Sequence, residues 1–461
     1  MRIATNMSSL TACYQLNKND KGVSASMKRL SSGYKINNAG DDPVGAAISK
    51  KMKTQIRGLE RANQNASDAI SVVETADGTL SEISAMVQRI RELAVQGATD
   101  TYTDDDRESL MSEIEQLQTE IDRIANDTEF NTRSLLNGDL GRNTYTNRAD
   151  VHVRYLSDGV PSGTYKLRVN AGSRSQFNIS GMASTFTEAG TVSVNGVSFN
   201  VVAGDTFADV YDKFISTCDK LDITANNTTG TDVEFKSNYA GSQYPIEITA
   251  STPALEAQLG LGGATYTAGK DALVQPDENT IGGSGFSNGA IVVTDGNEAT
   301  IKASGGFEMR VTLDDDMVGN GLRVQCYVLE SGTMTIQMGA NESQEMEIEL
   351  PEISCETLGI EKINACTSKG CAKAIEYCDR ALDFINQARS RIGAYENRLE
   401  STIASLDVTE ENLTAALSRI EDVNMAEEMT RYTTLNVLSQ AATSMLSQAN
   451  QQPEKVLQLL Q

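Results

Sequence analysis

The chain offers few side chains from which an enzyme active site could be built. Its one histidine, His152, lies in an alternating Val-His-Val run that is typical of a β-strand. A zinc peptidase site needs two histidines one helical turn apart, and a catalytic triad needs a histidine beside its nucleophile. A single histidine excludes the zinc site. Because His152 lies in a predicted strand, we expect it to be packed or to face solvent and not to belong to a catalytic triad.

The cysteines and glycines do not form a recognisable site either. Seven cysteines stand at irregular spacing, and Cys366, Cys371 and Cys378 share one segment without CxxC spacing or a nearby histidine, so we predict that they pack. The glycine-rich stretch 282–285 lacks the lysine of a phosphate-binding loop. Acidic residues are too abundant for spacing alone to rule out a glycosidase pair. We expect no enzyme, no cofactor and no metal site.

The two ends of the chain carry matching apolar stripes. Apolar side chains recur there at alternating three- and four-residue steps, the period of helices that supercoil around a partner. Residues 1–61 hold 11 Lys and Arg against four Asp and Glu, whereas residues 401–461 hold three against eight. Stripes and opposite charges predict that the ends pair and form polymer contacts. The predicted polymerisation residues are Leu16, Val23, Met27, Leu30, Leu435, Leu438, Met445 and Leu446.

Overall charge and hydropathy exclude several classes of partner. The 461-residue chain has a net charge of −24, which argues against nucleic-acid binding. No run of eighteen apolar residues is present, so no membrane insertion is expected. The first twenty residues lack the apolar core of a secretory signal, which by itself indicates a cytosolic protein. Export without a cleaved signal would leave the same sequence pattern.

The order of periodicities predicts an α+β fold. A helix of some fifty residues follows Asp41-Asp42-Pro43 and ends near Gly97, and a third helix over about 107–125 turns back on it as a hairpin. From about residue 140 to 350, alternating runs separated by Gly, Asn and Asp clusters predict strands. Helical periodicity returns after Pro351, with an interruption expected at residues 409–412. Long terminal helices therefore form coiled-coil and helical-rod domains around a central, mostly β insertion.

Several long strings resemble the bacterial flagellin family, whose members build the flagellar filament. At the N-terminal end they are LSSGYKIN at 30–37, DDP at 41–43 and VQRIRELAVQ at 87–96. At the C-terminal end they are NRLE at 397–400, ENL at 411–413, SRIED at 418–422, MAEEM at 425–429 and QANQQP at 448–453. The resemblance covers roughly residues 1–140 and 355–461.

The resemblance implies three domains and a structural function. Residues 1–40 with 421–461 would form the inner coiled-coil domain, 41–170 with 351–420 the helical rod, and 171–350 a variable surface domain. Within the last, residues 191–262 resemble a small motif of flagellins and hook-associated proteins. The implied function is a filament subunit for swimming motility. A junction or cap-type accessory protein of the flagellum is the alternative, and seeded polymerisation would distinguish the two.

The resemblance also implies partners and an extracellular location. These are other copies of the chain in a helical polymer, the hook-associated junction and cap proteins, and an export chaperone that holds the C-terminal helix before type III secretion. The first rod helix would be bound by the host Toll-like flagellin receptor. Its implied contact residues are Gln88, Arg89, Leu93 and Gln96 with Glu113 on the next helix, although Val87 stands where the family commonly has Leu.

Overall fold

The computed structural model describes residues 6–458, except for 158, 229, 278–284, 287–288, 305, 315–316, 318, 320 and 330–331; of 453–458 it describes only the backbone. The glycine-rich stretch at 282–284 thus lies outside the described residues. The α+β prediction is confirmed, with long helices at both ends and strands between them. The helices are α1 (Met7–Ser32), α2 (Pro43–Gly97), α3 (Asp104–Asp127), α4 (Phe207–Asp219), α5 (Pro253–Gln258), α6 (Cys355–Leu358), α7 (Ser368–Glu421) and α8 (Met425–Gln458).

The described strands are short and lie between α3 and α6. The first ten are β1 (Glu129–Phe130), β2 (Arg133–Ser134), β3 (Thr144–Thr146), β4 (Val151–Leu156), β5 (Gly163–Asn170), β6 (Arg174–Ile179), β7 (Gly190–Val194), β8 (Val197–Val201), β9 (Ile223–Asn227) and β10 (Val233–Ala240). The others are β11 (Ile248–Ala250), β12 (Thr265–Thr267), β13 (Leu273–Pro276), β14 (Ile291–Asp295), β15 (Glu298–Ala303), β16 (Phe307–Leu313), β17 (Leu322–Val328), β18 (Met334–Gln337) and β19 (Glu345–Ile348).

The chain forms two compact units. The first comprises the described parts of Met1–Ala69, Ile336–Met346 and Arg398–Gln461; the second comprises those of Ile70–Thr335 and Glu347–Asn397. In the first unit α1 packs against α8, and a small apolar cluster joins Leu59 and Ala62 of α2 to Leu406 of α7. The tip of the β18–β19 hairpin contacts α2 where Gly58 leaves room for Ala340.

The helical core of the second unit comes from the predicted stripes. Arg91 of α2 pairs with Asp379 of α7 at 2.6 Å, and Asp77 of α2 pairs with Arg389 of α7 at 2.8 Å, so these helices run antiparallel. Apolar side chains of α2, α3 and α7 are fully buried, as expected for amphipathic helices that share a core. They include Leu80, Ile83, Ile90, Ile114, Ile121 and Ile385.

The strands of the second unit surround two separate apolar cores. The larger core lies among two four-stranded sheets, ordered β13-β5-β17-β3 and β14-β15-β16-β4. The smaller core lies among the sheets β12-β6-β10-β9 and β11-β7-β8 together with α4 and α5. The predicted Asn-Gly turn joins β7 to β8, with Asn195 and Gly196 both at positive φ. Every residue of the smaller core lies between 177 and 264 along the chain.

The predicted interruption of α7 at residues 409–412 is wrong. The helix continues to Glu421 because its polar side chains bond to the helix itself. Thr409 Oγ1 donates to the carbonyl of Ser405 at 2.8 Å, and Asn412 Nδ2 donates to the carbonyl of Val408 at 2.8 Å. These bonds let both residues stay within the helix. The break comes instead at residues 422–424, and α8 starts immediately after it.

None of the described helices is long and apolar enough to cross a membrane.

Candidate functional site

The first candidate surface is the pair of terminal helices, α1 and α8. The chain ends run antiparallel, since Asn6 Nδ2 donates to the carbonyl of Ala449 at 3.0 Å and Asp20 accepts from Ser439 at 2.7 Å. The helices approach closely at Gly22, where a Cβ atom would lie 3.1 Å from a methyl of Leu435. Hydrogen bonds at one end and near the middle of the pair therefore set one register.

The predicted polymerisation residues divide into two groups in this pair. Five are partly buried between the helices: Leu16, Val23, Leu30, Leu435 and Leu446. Three remain exposed, with Met27 at 52%, Leu438 at 47% and Met445 at 62%. The first group stabilises the pair itself, and the second leaves apolar surface uncovered.

Sequence reasoning missed further exposed apolar side chains on the same two helices. Leu10, Tyr14 and Val437 are each at least 65% exposed, and Met425 and Met429 are about half exposed. A second apolar stripe beside the pairing stripe is the signal that would have found them. Clustered exposed apolar side chains mark protein contact surfaces more often than chance positions do.

A buried polar contact lies near one end of the helix pair. Ser26 of α1 and Glu428 of α8 are the only described side chains of these two helices that are fully buried. The Ser26 hydroxyl donates to the Glu428 carboxylate, and Arg29 lies 3.9 Å from the same carboxylate. Among its described side chains, the helix pair therefore buries no apolar one completely. Its stability as an isolated pair must be small, because apolar burial is the main favourable contribution to folding.

The breaks between long helices meet beside this contact. Tyr34 and Asp422 form an antiparallel bridge, and the amide of Val423 donates to the carbonyl of Gly33 at 3.0 Å. Lys53 of α2 pairs with Glu421 at the end of α7 at 2.6 Å. These breaks, at residues 33–42 and 422–424, lie next to the predicted domain boundaries at 40 and 421, which stay a prediction.

The second candidate surface is the exposed side of α2 and α3 around Arg89. Arg89 Nη2 lies 2.8 Å from Glu113 of α3, and its Nη1 lies 3.5 Å from Glu92. The hydrogen bond that Arg89 donates to the Glu113 carboxylate is the largest cause of the raised pKa of Arg89. The structure thus pairs Arg89 with Glu113 at the surface, and Gln88 is exposed beside Arg89 in α2.

Two of the predicted receptor residues behave differently from this group. Gln96 is exposed, but its amide donates to the hydroxyl of Tyr102 at 2.8 Å. Leu93 is only 1% exposed and belongs to the helical core. A direct contact of Leu93 with a partner is therefore inconsistent with this fold. The sequence did carry a signal for this burial. Leu93 lies three residues after the apolar Ile90, a spacing that puts both side chains on one face of the helix.

A buried arginine holds the turn that follows this surface. Arg107 of α3 is 7% exposed, and its Nε and Nη2 donate to the carbonyls of Gly97 and Thr99, both at 3.0 Å. Its Nη1 pairs with Asp104 at 3.2 Å. The side chain thus satisfies the last carbonyl of α2, which has no partner within the helix, and one carbonyl of the turn that follows.

The side chains considered for catalysis do not form a site. His152 is exposed on β4, with Nε2 4.0 Å from Asp314. Burial raises the pKa of Cys366 to about 11 and of Cys378 to about 12, so both remain unreactive thiols near neutral pH. Among the residues that the structure describes, no group of three or more His, Cys, Asp or Glu could hold a metal ion.

Comparisons with known proteins match both ends and the whole length of the chain. The model of the bacterial flagellin N-terminal helical region matches residues 3–140, and that of the C-terminal helical region matches 375–460. The chain is 34% identical over 456 residues to a flagellin of Clostridium tyrobutyricum, covering 98% of this chain and 100% of the relative. It is 31% identical over 506 residues to a flagellin of Salmonella typhimurium, covering 99% of each.

One solved structure among those matched is the flagellar junction protein FlgL from Legionella pneumophila. It shares 15% identity, with 81% of this chain and 99% of that chain covered, at a TM-score of 0.29.

Proposed function

The chain belongs to the bacterial flagellin family, so it is a structural subunit of the flagellar filament and not an enzyme, and we propose that the α1–α8 pair supplies the contacts between subunits. One observation carries this proposal. None of the apolar side chains that the structure describes on this pair is completely buried, yet Met27, Leu438 and Met445 are exposed along its length.

Neighbouring copies would supply the missing apolar burial. Removing apolar surface from water contributes roughly 25 cal/mol per Å², so covering several exposed Met, Leu and Val side chains stabilises a contact substantially. When a patch on one subunit binds a different patch on the next, every added subunit is rotated by the same angle. If that rotation does not close a ring, subunits can be added without limit and a helical filament results. The same burial would complete the folding of the terminal helices, which we propose are ordered fully only in the polymer.

Seeded elongation of purified monomer tests the assembly proposal. In Met445→Glu a charge replaces an apolar side chain that we place in the subunit contact. Burying an unpaired charge is costly, so we expect elongation to slow by at least about tenfold. The rate is measured by light scattering after addition of sheared filament seeds.

Gln440→Glu is the matched control. Gln440 is exposed on the same helix, on a different side from Leu438 and Met445, and receives the same charge. It should elongate at nearly the unmodified rate. Normal elongation of Met445→Glu would contradict the proposed contact, whereas wild-type monomer that never elongates seeds would favour the accessory role.

The domain map follows from the assembly proposal. Residues 1–40 with 421–461 would form the inner domain of the filament, 41–170 with 351–420 the rod, and 171–350 the outer surface, with 191–262 as a recurring small motif. The helix breaks at 33–42 and 422–424 support the first boundary. The smaller β core, whose residues all lie between 177 and 264, supports the last assignment.

Export and the ends of the filament add further partners to the proposal. The chain would leave the cell through the flagellar type III apparatus, with a chaperone covering the C-terminal helix around residues 421–461. The exposed apolar side chains of α8 support this, because they need cover before assembly. The secreted polymer would meet hook-associated junction and cap proteins at its two ends.

We also propose that the Arg89 surface is bound by the host Toll-like flagellin receptor. Gln88, Arg89, Gln96 and Glu113 would make the contact, while buried Leu93 supports them from the core. The Arg89–Glu113 pair is partly exposed, with 49% and 43% of the side chains accessible. It therefore presents both hydrogen-bond donors and acceptors in a fixed geometry.

Direct binding of monomer to the purified receptor ectodomain tests this second proposal. Arg89→Asp removes the pair with Glu113 and adds a negative charge, and we expect the affinity to fall by about tenfold or more. Arg123→Asp is the control, because Arg123 also forms exposed ion pairs, with Glu120 and Asp127 on α3. Equal affinity of the Arg89 variant and the wild type would refute the contact.

A further inference from the structure

A cavity of about 280 Å³ lies in the second unit, between the smaller β core and the first turns of α7. Three tyrosines and three lysines converge on it: Tyr239, Tyr244, Tyr377, Lys362, Lys369 and Lys373. The volume is at the lower end of the ~300–1,000 Å³ range of ligand pockets, so it suits a small molecule or one residue of a larger one. The filament role proposed above makes no use of this cavity.

Two of the lysines are held in place by the tyrosines. Lys362 Nζ lies 5.4 Å from the ring centre of Tyr239, and Lys373 Nζ lies 5.7 Å from that of Tyr244. Lys373 also donates to the carbonyl of Gln243 at 2.7 Å. Positioned ammonium groups lose little freedom when a ligand binds, which favours affinity. Lys369 is exposed and forms no ion pair with the residues that the structure describes.

The position of these charges is unusual for this chain. The protein carries a net charge of −24, yet three lysines surround one cavity. Lys369 and Lys373 lie in the first two turns of α7, which has no acidic residue in its first turn. Cations near a helix N-terminus oppose the helix dipole, so packing of the helix does not account for them. An anionic ligand would account for them.

The other groups in the cavity indicate that this anion also carries hydroxyl groups. The carboxylates of Asp222 and Glu247 line the same space. They would repel a compact polyanion such as sulfate but accept hydrogen bonds from hydroxyls. Burial raises the pKa of Tyr244 and Tyr377, so these phenols remain protonated donors. The aromatic rings offer apolar walls to C–H groups.

We propose that this cavity binds an acidic saccharide residue, a single sugar ring that carries a carboxylate. The lysines pair with its carboxylate, Asp222 and Glu247 accept from its hydroxyls, and the tyrosines contact the apolar face of the ring. The ligand can be a free sugar acid or the terminal residue of an oligosaccharide, because both present the same group.

Calorimetric titration of the full-length monomer tests this proposal. The probes are methyl glucuronide, methyl glucoside as its uncharged counterpart, sodium sulfate, and an oligosaccharide that ends in glucuronic acid. We expect saturable binding of the glucuronide or of the oligosaccharide, and which of them binds more tightly identifies the source. Equal binding of the glucoside, displacement by equimolar sulfate, or no saturable binding of either acidic probe would each overturn the proposal.

Variants locate the binding in the cavity. Lys369→Ala removes an exposed side chain without disturbing the fold, and the Lys362→Gln, Lys373→Gln double variant removes the two positioned charges. Each should weaken glucuronide binding by about tenfold, because a charge-assisted hydrogen bond is lost. Lys270→Ala, an exposed lysine outside the cavity, should bind as the wild type does. Unchanged affinity in the Lys369 and double variants would place the sugar elsewhere and refute this site.

Discussion

Arg107 is a single side chain on which the turn between α2 and α3 depends. Its guanidinium is buried and bonds to two backbone carbonyls and to Asp104. Arginine suits this position because its planar group presents several donors in a fixed arrangement. Removing it would leave the carbonyl of buried Gly97 without this partner, whereas Thr99 is exposed.

We therefore expect Arg107→Ala to lower the free energy of unfolding by about 2–4 kcal/mol, because charged hydrogen bonds are lost and the buried carbonyl of Gly97 loses this partner. The measurement is the midpoint of urea unfolding, followed by circular dichroism. Arg123→Ala is the control, since its exposed ion pairs contribute little to stability. Equal midpoints for the two variants would show that Arg107 does not hold the turn.

At the level of single residues, the sequence did not predict which side of a helix each residue faces. Gln88, Arg89 and Glu113 are on the surface, whereas Leu93 is in the core. A motif match does not say which side of a helix a residue faces. The role of Arg107 could not be predicted, because its partners are backbone carbonyls that any sequence would supply.

The long helices are the elements that the sequence predicted most reliably. Apolar side chains at three- and four-residue steps produce an amphipathic face, and burial of that face fixes the helix over its length. The misplaced break in α7 shows the limit of this reasoning. Thr409 and Asn412 are typical of turns, but their side chains bond back to α7 itself.

Two glycines of α2 make a test of packing within this element. A Cβ atom at Gly78 would meet no atom within 4 Å, whereas one at Gly58 would lie 2.8 Å from Cβ and 3.2 Å from Cα of Ala340. Gly78→Ala should raise the free energy of unfolding by about 0.5–1 kcal/mol, because alanine restricts the unfolded chain and favours helix.

Gly58→Ala should instead be destabilising, since overpacking costs about 1–3 kcal/mol and exceeds the helical gain. Thermal unfolding of both variants measures the difference. A rise of equal size in both melting temperatures would show that the β18–β19 hairpin does not pack on α2 at this point.

The whole molecule contains a division that the sequence did not reveal. The predicted insertion 171–350 holds two apolar cores, and the larger one also uses β4 and β5. Strand pairing of this kind is non-local: Val169 of β5 pairs with Leu322 of β17. Local patterns identify strands but not their partners, so the number of cores could not be predicted.

The chain enters and leaves the segment that forms the smaller core at neighbouring positions. Ser173 and Lys270 form an antiparallel bridge, with both backbone hydrogen bonds present at 2.9 and 3.0 Å. Deleting residues 174–269 and joining Ser173 to Lys270 should therefore leave the larger core intact and preserve seeded filament growth. Electron microscopy of the elongated seeds is the measurement.

Deleting residues 175–345 is the informative comparison. It removes β14 to β17 and leaves the apolar side chains of β4 and β5 without their partners, so aggregation should accompany or replace filament growth. If the variant with the shorter deletion stays soluble and helical as a monomer but does not assemble, the smaller core has a role in subunit contacts.

The bridge between Ser173 and Lys270 has a practical and evolutionary consequence. A module whose two ends are neighbours can be exchanged for another domain with equally close termini, without altering the path of the remaining chain. Recombination between related genes at these two positions would replace this module while leaving the larger core and the terminal helices unaltered. For the engineer, the same pair of residues offers a grafting point at which a foreign enzyme or epitope is displayed once on every subunit.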